Sequence, residues 1–463
     1  MQNTLKQNEF KQIGGKKLGI GSFGCIVTPP IKCPKTPSKY LTQKYVSKLL
    51  FQKLGKTDRK DLHTELKVYE KIKEIDNGNN FFIYPMDICE LKNIPHNRKD
   101  VKEIKYLSSK YSFKSNISDI LKKSHKKSYS NNSYNSYDSD NDIEYKYIID
   151  KNKIIRIRDN DTKCYIDKSL KPINIIYRNV GYSLKDILSL SKFKRYRKYY
   201  KQNYIQIFHK ILCCLALLHT NKIVHSDIKP DNIMTQLPNK NTLKNNTNSQ
   251  SKSHTKSRDK SIKNNKNNKI DIDLIRLIDF GFSYIVNRHS IYTESRILYY
   301  QGTPFYISID LIIAKYIKEN RIRYLYNELE KIKYEYHKYN IDKYISPLKI
   351  SIITELIIII SDLMKSGLYE NKFMAPNNGF CYLSDIYSLG ISMAEYIELL
   401  NIKPSNEIKD LILQMTTLNP MLRISAIDAL KHPAFAHIIN ESSIEISKLT
   451  SENLISLLSN IKN

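Results

Sequence analysis

Ile223-Val224-His225-Ser226-Asp227-Ile228-Lys229-Pro230-Asp231-Asn232-Ile233-Met234, followed after a polar tract by Leu277-Ile278-Asp279-Phe280-Gly281, is the part of this chain whose reading decides the rest. Both stretches set acidic or amide side chains among apolar residues at short, fixed spacings. Phosphoryl transfer needs a carboxylate to orient the attacking hydroxyl and hard oxygen ligands for a Mg²⁺ ion that bridges the phosphates. Asp227 fits the first role, with the cation Lys229 two residues on, and Asn232 and Asp279 fit the second. Two such stretches in this order do not arise readily by chance.

Upstream, Leu18-Gly19-Ile20-Gly21-Ser22-Phe23-Gly24-Cys25-Ile26 contains G-x-G-x-x-G. Glycines let backbone N–H groups approach phosphate oxygens. A dinucleotide fold would require a helix to start here, whereas Cys25-Ile26-Val27 continues as a strand up to Pro29-Pro30. A strand–turn–strand flap over phosphates fits better, and an ordinary glycine hairpin fits this segment equally well when it is taken alone. Tyr45-Val46-Ser47-Lys48-Leu49 embeds a lysine in a strand pattern, and Glu65 follows in the helical pattern HTELKVYEKI. A buried lysine needs a counter-charge. If strand and helix pack, Glu65 holds Lys48 toward nucleotide phosphates; otherwise Lys48 is a surface residue.

With these motifs in view, the chain resembles eukaryotic-type Ser/Thr protein kinases, matching the family's H-R-D-x-K-x-x-N and D-F-G signatures. Gly302-Thr303-Pro304-Phe305-Tyr306-Ile307-Ser308-Ile309-Asp310 resembles the G-T-x-x-Y-x-x-P-E that closes the activation segment. Asp385-Ile386-Tyr387-Ser388-Leu389-Gly390 resembles D-V-W-S-L-G, and Asn419 through Arg423 with His432-Pro433 resembles the terminal D-P-x-x-R...H-P. The segment GSFGCIVTPPIKC with YVSKLL further resembles kinases encoded by giant DNA viruses.

The resemblance implies an α+β, bilobal protein-kinase-like fold over 12–435, with a β-rich N-lobe at 12–180, a helical C-lobe at 181–435 and a tail at 436–463. It implies ATP and Mg as cofactors and protein Ser/Thr hydroxyls as acceptors. Lys229 would reach the transferred phosphate and Thr303 would tie to the base Asp227. Aligned backward from Ser183-Leu184, Tyr177 would stand at the gatekeeper position, and the Arg178 carbonyl and Val180 N–H would meet the adenine edge. The acid Asp310 would pair with Arg423.

Departures from the family pattern shift expectations. Ser226 stands where many kinases have an arginine that receives an activating phosphate. The segment from Asp279 to Asp310, with Ser290, Tyr292, Thr293 and Ser295, is therefore expected to be ordered by other contacts, with the stretch 314–378 as the candidate. That stretch is an ordered insertion, because YIKENRIRYLYNELEKIKYEYHKY has helical apolar spacing and SIITELIIIISDLM reads as a buried helix. Two Ser/Asn/Lys tracts, about 112–145 and 236–270, read as disordered insertions, since neither has the apolar content to offset ordering entropy. YIQIFHKILCCLALLH is a core helix whose paired cysteines are packing residues.

Composition sets the outer bounds. The 463 residues are 41% hydrophobic and 26% charged, which excludes a wholly disordered chain. The formal charge of +29 admits an anionic partner, nucleic acid among them, through a basic surface. Over-use of Lys, Asn, Ile and Tyr, with 34 tyrosines and no tryptophan, points to an A/T-rich genome as part of that excess. Seven cysteines, an odd number without C-x-x-C or zinc spacing, favour reduced thiols in an intracellular compartment. MQNTLKQNEF lacks a signal-peptide core, and Ile350–Met364 is broken by polar residues, so no membrane span is expected. A soluble protein of the host cytoplasm or virion follows if the source is viral. The other readings are a pseudokinase or scaffold, which would not bind Mg-ATP, and a basic virion or nucleic-acid-associated protein.

Overall fold

Helical patterns that are apolar all round must lie at the centre of a packed unit, and two helices of this chain meet that description. The computed structural model describes residues 16–21, 24–50, 56–76, 80–91, 101–106, 146–150, 153–157, 164–167, 173–238, 275–286, 302–375, 379–436 and 438. Most of the expected insertions at 112–145 and 236–270, Ser22, Phe23, the four hydroxyl residues between Ser290 and Ser295, and nearly all of the tail lie outside them. The described residues fall into two compact units, one drawn from 1–55 and 85–179, the other from 56–84 and 180–463.

The first unit holds an antiparallel sheet of five strands. These are β1 (Lys16–Gly21), β2 (Gly24–Thr28), β3 (Tyr45–Leu50), β4 (Asp87–Glu90) and, further along the chain, Ile173–Arg178, in the order β1-β2-β3-(173–178)-β4. Register puts Ile26 opposite Lys48 and Lys48 opposite Ile175. Cys25, Val27, Ile31, Leu49 and Leu91 form the core on one face. A second sheet, absent from the sequence reading, consists of β5 (Val101–Tyr106), β6 (Lys146–Asp150), β7 (Lys153–Ile157) and β8 (Cys164–Asp167). The strand 173–178 is then β9.

Here the cysteine expectation is corrected. Cys33 is disulfide-bonded to Cys89, and Cys25 is disulfide-bonded as well. The 56 residues between Cys33 and Cys89 carry no spacing signature. The fold supplies the proximity, because the loop after β2 lies along β4 and is pinned there by neighbouring hydrogen bonds. The Ile31 N–H donates to the Ser47 hydroxyl at 2.8 Å, and Asn174 Nδ2 donates to the Ile31 carbonyl at 2.8 Å.

The second unit begins with α1 (Lys56–Ile75), which groups with it because Tyr69 packs edge-on against Phe280 and because Ile83 and Phe81 hydrogen-bond to Leu277. Next come β10 (Tyr182–Ser183), α2 (Leu184–Ser189), α3 (Lys194–Gln202) and α4 (Tyr204–Thr220). The Ser183 hydroxyl caps α2 by accepting the Asp186 N–H. As expected, α4 is a core helix, buried continuously from Ile207 to His219. Cys213 and Cys214 are free and buried, and desolvation pushes both thiols up to about 12, so they are packing residues. After α4, β11 (Ile223–Val224) pairs with β14 (Tyr284–Ile285), while β12 (Ile233–Thr235) pairs with β10 and β13 (Arg276–Leu277). β12 and β13 thus pair antiparallel on either side of the 236–270 tract.

Four helices occupy much of the described part of 309–375: α5 (Ile309–Lys318), α6 (Ile322–Lys338), α7 (Ile350–Lys365) and α8 (Tyr369–Phe373). One detail differs from the sequence reading. The apolar run in α7 is not buried all round: Ile353, Leu356 and Ile360 face inward, while Ile350 and Ile358 are 65% and 57% exposed. The central helix is α9 (Phe380–Leu399), buried from Phe380 to Ile397, followed after a short connection by α10 (Asn406–Met415) and α11 (Ala426–Leu430). Among the described residues no helix is long and apolar enough to cross a membrane.

The expected Asp310–Arg423 pair forms. Arg423 Nη2 reaches Asp310 Oδ1 at 2.6 Å, with both side chains essentially inaccessible. The guanidinium also donates to the carbonyls of Thr417 at 2.9 Å and Leu383 at 3.1 Å, which ties α5 to α9 and to the turn before α11. Removing one member of a buried pair leaves an uncompensated charge. Arg423→Leu is expected to cost ~3–5 kcal/mol in urea unfolding. The double variant Asp310→Leu/Arg423→Leu should lose less than the sum of the two single variants; strict additivity would mean the two charges do not stabilise one another.

Candidate active site

The loop 225–232 is held from below by a charge. Asp385, on the buried central helix, accepts the N–H of His225 on Oδ2 and the N–H of Ser226 on Oδ1, each at 2.8 Å, and His219 Nε2 donates to Oδ2 at 3.2 Å. With its backbone fixed, Ser226 adopts φ = +66°, a costly conformation for a non-glycine residue. The chain then turns so that Asp227 faces the segment 302–303.

His225 is wholly buried and bonded at both ring nitrogens. Nδ1 accepts the Asp227 N–H at 3.3 Å and Nε2 donates to the Ile278 carbonyl at 3.1 Å. Its ring lies 4.8 Å from that of Phe280, which packs in turn on Phe82 and Tyr69. This aromatic column links the 225–232 loop to the 279–281 turn. Asp279 has φ = +64°. Asp279 Oδ1 and Glu65 Oε2 lie 3.5 and 3.9 Å from the point a Cβ on Gly281 would occupy, so both carboxylates stand beside this turn.

Around Asp227 the side chains converge. Asn232 Nδ2 donates to the Asp227 carbonyl at 2.8 Å and to Oδ2 at 2.9 Å. Lys229 Nζ stands 2.9 Å from Oδ2. Thr303 donates to Oδ1 through its N–H at 2.9 Å and its hydroxyl at 2.8 Å, and that hydroxyl accepts from Lys229 at 2.5 Å. The carboxylate is thus oriented by one amide, one ammonium, one hydroxyl and one backbone donor. It remains a hydrogen-bond acceptor whose position is set before any substrate arrives.

Asp227, Lys229, Asn232 and Thr303 are therefore gathered together as the sequence reading expects, with Asp279 and Glu65 beside the neighbouring turn. The two strands expected on either side of the glycine segment are present: Gly21 pairs with Gly24, and Ile26 lies next to Lys48 across the sheet. Leu18 is exposed, whereas the Cys25 side chain is in the core and disulfide-bonded, which leaves only its backbone to face a ligand. Lys48 and Arg178 lie in the first unit, Glu65 and Val180 in the second. Arg178 ends β9 opposite Tyr45, Tyr177 is buried, and Val180 is buried.

Four participants escaped the sequence reading as single residues. Asp385 was quoted only as part of a motif, although an acid within an otherwise apolar helix signals a buried receptor for donors. Tyr306, whose hydroxyl donates to Glu395 Oε2 at 2.7 Å, was likewise quoted only inside a motif, while Glu395, buried, and its ion-pair partner Lys185, 33% exposed, carried no local signal. Burial alone would lower the Lys185 pKa, but the Glu395 hydrogen bond and charge outweigh it and raise it. Asp231 is pushed up by burial, against the pull of Lys185 and Lys229.

Residues 121–322 match the family model for the protein kinase domain. The matched span takes in the loop 225–232, the 279–281 turn and the 302–310 segment, and it supports a protein kinase, a phosphotransferase acting on protein. No curated protein matches the chain.

Gly302 gives this site a sharp test. It has φ = +113°, and a Cβ there would stand 2.3 Å from the Ser226 carbonyl. Neither backbone can yield without moving Thr303 off Asp227. Gly302→Ala is expected to lower kcat by ~10²-fold or more through misplacement, with the global unfolding transition changed far less; wild-type kcat in this variant would show that the Thr303–Asp227 contact is not needed.

Proposed function

We propose that the chain is an ATP- and Mg²⁺-dependent protein kinase that transfers the γ-phosphate to Ser and Thr hydroxyls. The observation that carries this reading is the Asp227 carboxylate held between Asn232, Lys229 and Thr303. In the proposed roles, Asp227 orients the acceptor hydroxyl and takes its proton, and Lys229 stabilises charge on the transferred group.

The residues fit the metal. Asn232 uses its Nδ2 on Asp227, which leaves the carbamoyl oxygen, and Asp279 brings a carboxylate. Two hard oxygen donors suit an ion that completes its shell with water and substrate phosphates. When bound, Mg²⁺ would neutralise charge developing on those phosphates. Lys48 on β3, Glu65 on α1, the glycine segment 18–26 and the backbone at Arg178 and Val180 are the residues proposed for nucleotide binding. Acceptor class rests on the Lys229–Thr303–Asp227 chain of hydrogen bonds, the feature the resemblance ties to Ser/Thr transfer.

Labelled ATP and Mg²⁺ with casein, histone or the protein itself should give phosphoserine and phosphothreonine. Asp227→Asn should retain nucleotide binding and lose turnover by ~10³-fold or more, whereas Asp279→Asn should weaken Mg²⁺-dependent nucleotide binding. Wild-type turnover in Asp227→Asn would remove the base assignment, and label found mainly on tyrosine would remove the acceptor class. A chain that fails to bind Mg-ATP at all would be a scaffold.

A further inference from the structure

Lysine is common along the whole chain, but on α3 it is unaccompanied. From Ile187 to Ser226 there is no Asp or Glu, and within that span Lys192, Lys194, Arg195, Arg197, Lys198 and Lys201 fall inside ten residues. α3 carries five of these six cations. Its Tyr196, Tyr199 and Tyr200 are buried, which turns Lys194, Arg195, Lys198 and Lys201 outward to solvent. At 3.6 residues per turn, Arg195 and Lys201 stand ~120° apart around the helix axis, with Lys194 and Lys198 between them.

Other exposed helices show what the ordinary lysine surplus looks like. On α6, Lys331, Lys333 and Lys338 stand 3.9, 3.6 and 3.8 Å from the Glu three residues before each, and on α7 Lys365 stands 3.8 Å from Asp362. Exposed pairs of this kind contribute little to stability, but they leave the helix surface locally neutral. Among the described residues, none of the six cations around α3 has a carboxylate within ion-pair distance. Their contacts are to carbonyls and rings: Arg197 donates to the Ile187 and Leu190 carbonyls at 3.4 and 3.3 Å, Lys201 donates to the Asn401 carbonyl at 2.5 Å, and Lys192 lies over the Phe193 ring. These contacts place the side chains without neutralising them. Like charges at i, i+4, as in Lys194 and Lys198, disfavour a helix, so a multivalent anion on this face relieves a standing repulsion.

The chemistry of the face says what the anion is. Protein interfaces centre on desolvated aromatic and Arg anchors and are depleted in Lys, whereas α3 presents chiefly lysine and turns its tyrosines inward. A helix lying in a membrane surface submerges its apolar side; that of α3 is already buried in its own unit, and a flat bilayer would meet only the crest of a convex arc of charge. Nucleic acid requires neither an apolar centre nor a flat surface. Its affinity comes largely from Lys and Arg neutralising phosphates, and its major groove admits a helix. With nine residues α3 is ~13 Å long, enough to reach several phosphates. We propose that the α3 face binds the phosphate backbone of nucleic acid without sequence preference, through Lys194, Lys198 and Lys201 with Arg195 on the flank. This surface takes no part in the phosphotransfer reading, and either can fail without the other.

The test measures binding of a fluorescein-labelled DNA duplex, and of one of its single strands, to the full chain by anisotropy between about 50 and 200 mM salt. Two triple variants remove the same charge: Lys194→Gln/Lys198→Gln/Lys201→Gln on α3, and Lys331→Gln/Lys333→Gln/Lys338→Gln on α6. In the middle of that salt range the α3 variant should bind ~10-fold or more weakly, and for the duplex the slope of log K against log salt should flatten by about two to three, since each phosphate contact contributes ~0.9. The α6 variant should stay within about twofold of wild type. Lys198→Glu alone, at an exposed position, should give a several-fold loss and keeps the test open if the α3 triple variant does not fold. Equal losses in the two triple variants would mean that only the total charge of the chain matters, and would overturn the proposal. Wild-type affinity in the α3 variant, or no nucleic-acid binding by the wild-type chain, would overturn it as well. Phosphatidylserine vesicles or a poly-glutamate peptide bound more tightly than either nucleic acid, and released by the α3 substitutions, would assign the face to a membrane or an acidic protein instead.

Discussion

The carboxylate of Asp385 is the constraint on which the rest of the second unit depends. It sits in the second turn of a helix buried along eighteen residues, where an unpaired charge would be severely penalised. It is tolerated because two backbone N–H groups and His219 converge on it, and charge-assisted bonds of this kind are among the stronger ones in proteins. The demand works in both directions. The loop 225–226 cannot leave without stranding the acid, so the chain holds Ser226 at positive φ and delivers Asp227 to a fixed place. In the proposed reading, the position of Asp227 is set by a desolvated charge that binds the two residues immediately before it.

The same helix explains how Asp227 finds Thr303. Ser388, one turn after Asp385, donates to the Tyr306 carbonyl at 2.8 Å, and Glu395 accepts the Tyr306 hydroxyl. Arg423 meanwhile donates to Leu383 in the turn that precedes Asp385 and holds Asp310. The segment 302–310 is thus fastened to α9 at its middle and through Arg423 at its end, while the loop 225–232 is fastened to α9 at its start. Two segments anchored to one rigid element need only Gly302 to approach Ser226 closely, and the Asp227–Thr303 hydrogen bonds follow. A helix with polar groups on several sides of its axis and apolar groups between them must be buried all round, which is what the structure shows.

How far this could be read in advance follows from the range of each interaction. Asp227, Lys229, Asn232 and Asp279 were legible because their types and short spacings belong to a single loop and a single turn. The glycine hairpin, β3, α1 and α4 were legible because period-2 and period-3.6 patterns are local. Lys185 and Glu395 are 210 residues apart, and nothing near either one marks the other. Cys33 and Cys89 meet only because the loop after β2 crosses the sheet to β4. The strands β5 to β8 were missed because they are short and carry charged residues throughout, as in VKEIKY and KIIRI, so neither alternation nor apolar runs distinguish them from loops. In α7 the isoleucine count suggested full burial, but only one stripe has a neighbour to pack against.

Ser226 raises a question that the 314–378 stretch answers in structural terms. The resemblance places an arginine there that receives an activating phosphate; in this chain the described 302–310 segment is held by other contacts. On one side it rests on α9. On the other, the Tyr336 hydroxyl of α6 donates to the Phe305 carbonyl at 3.2 Å and also meets the Tyr387 hydroxyl of α9 at 3.3 Å, and burial keeps the Tyr336 phenol well above its ordinary pKa, hence a donor. One side chain of α6 therefore bridges the 303–306 segment and the central helix. Phe305 is packed by Tyr336 and Tyr339 from α6 and by Tyr306 from its own segment. These contacts are non-covalent packing that belongs to the fold itself. A chain that orders this segment by packing has built the support into its fold.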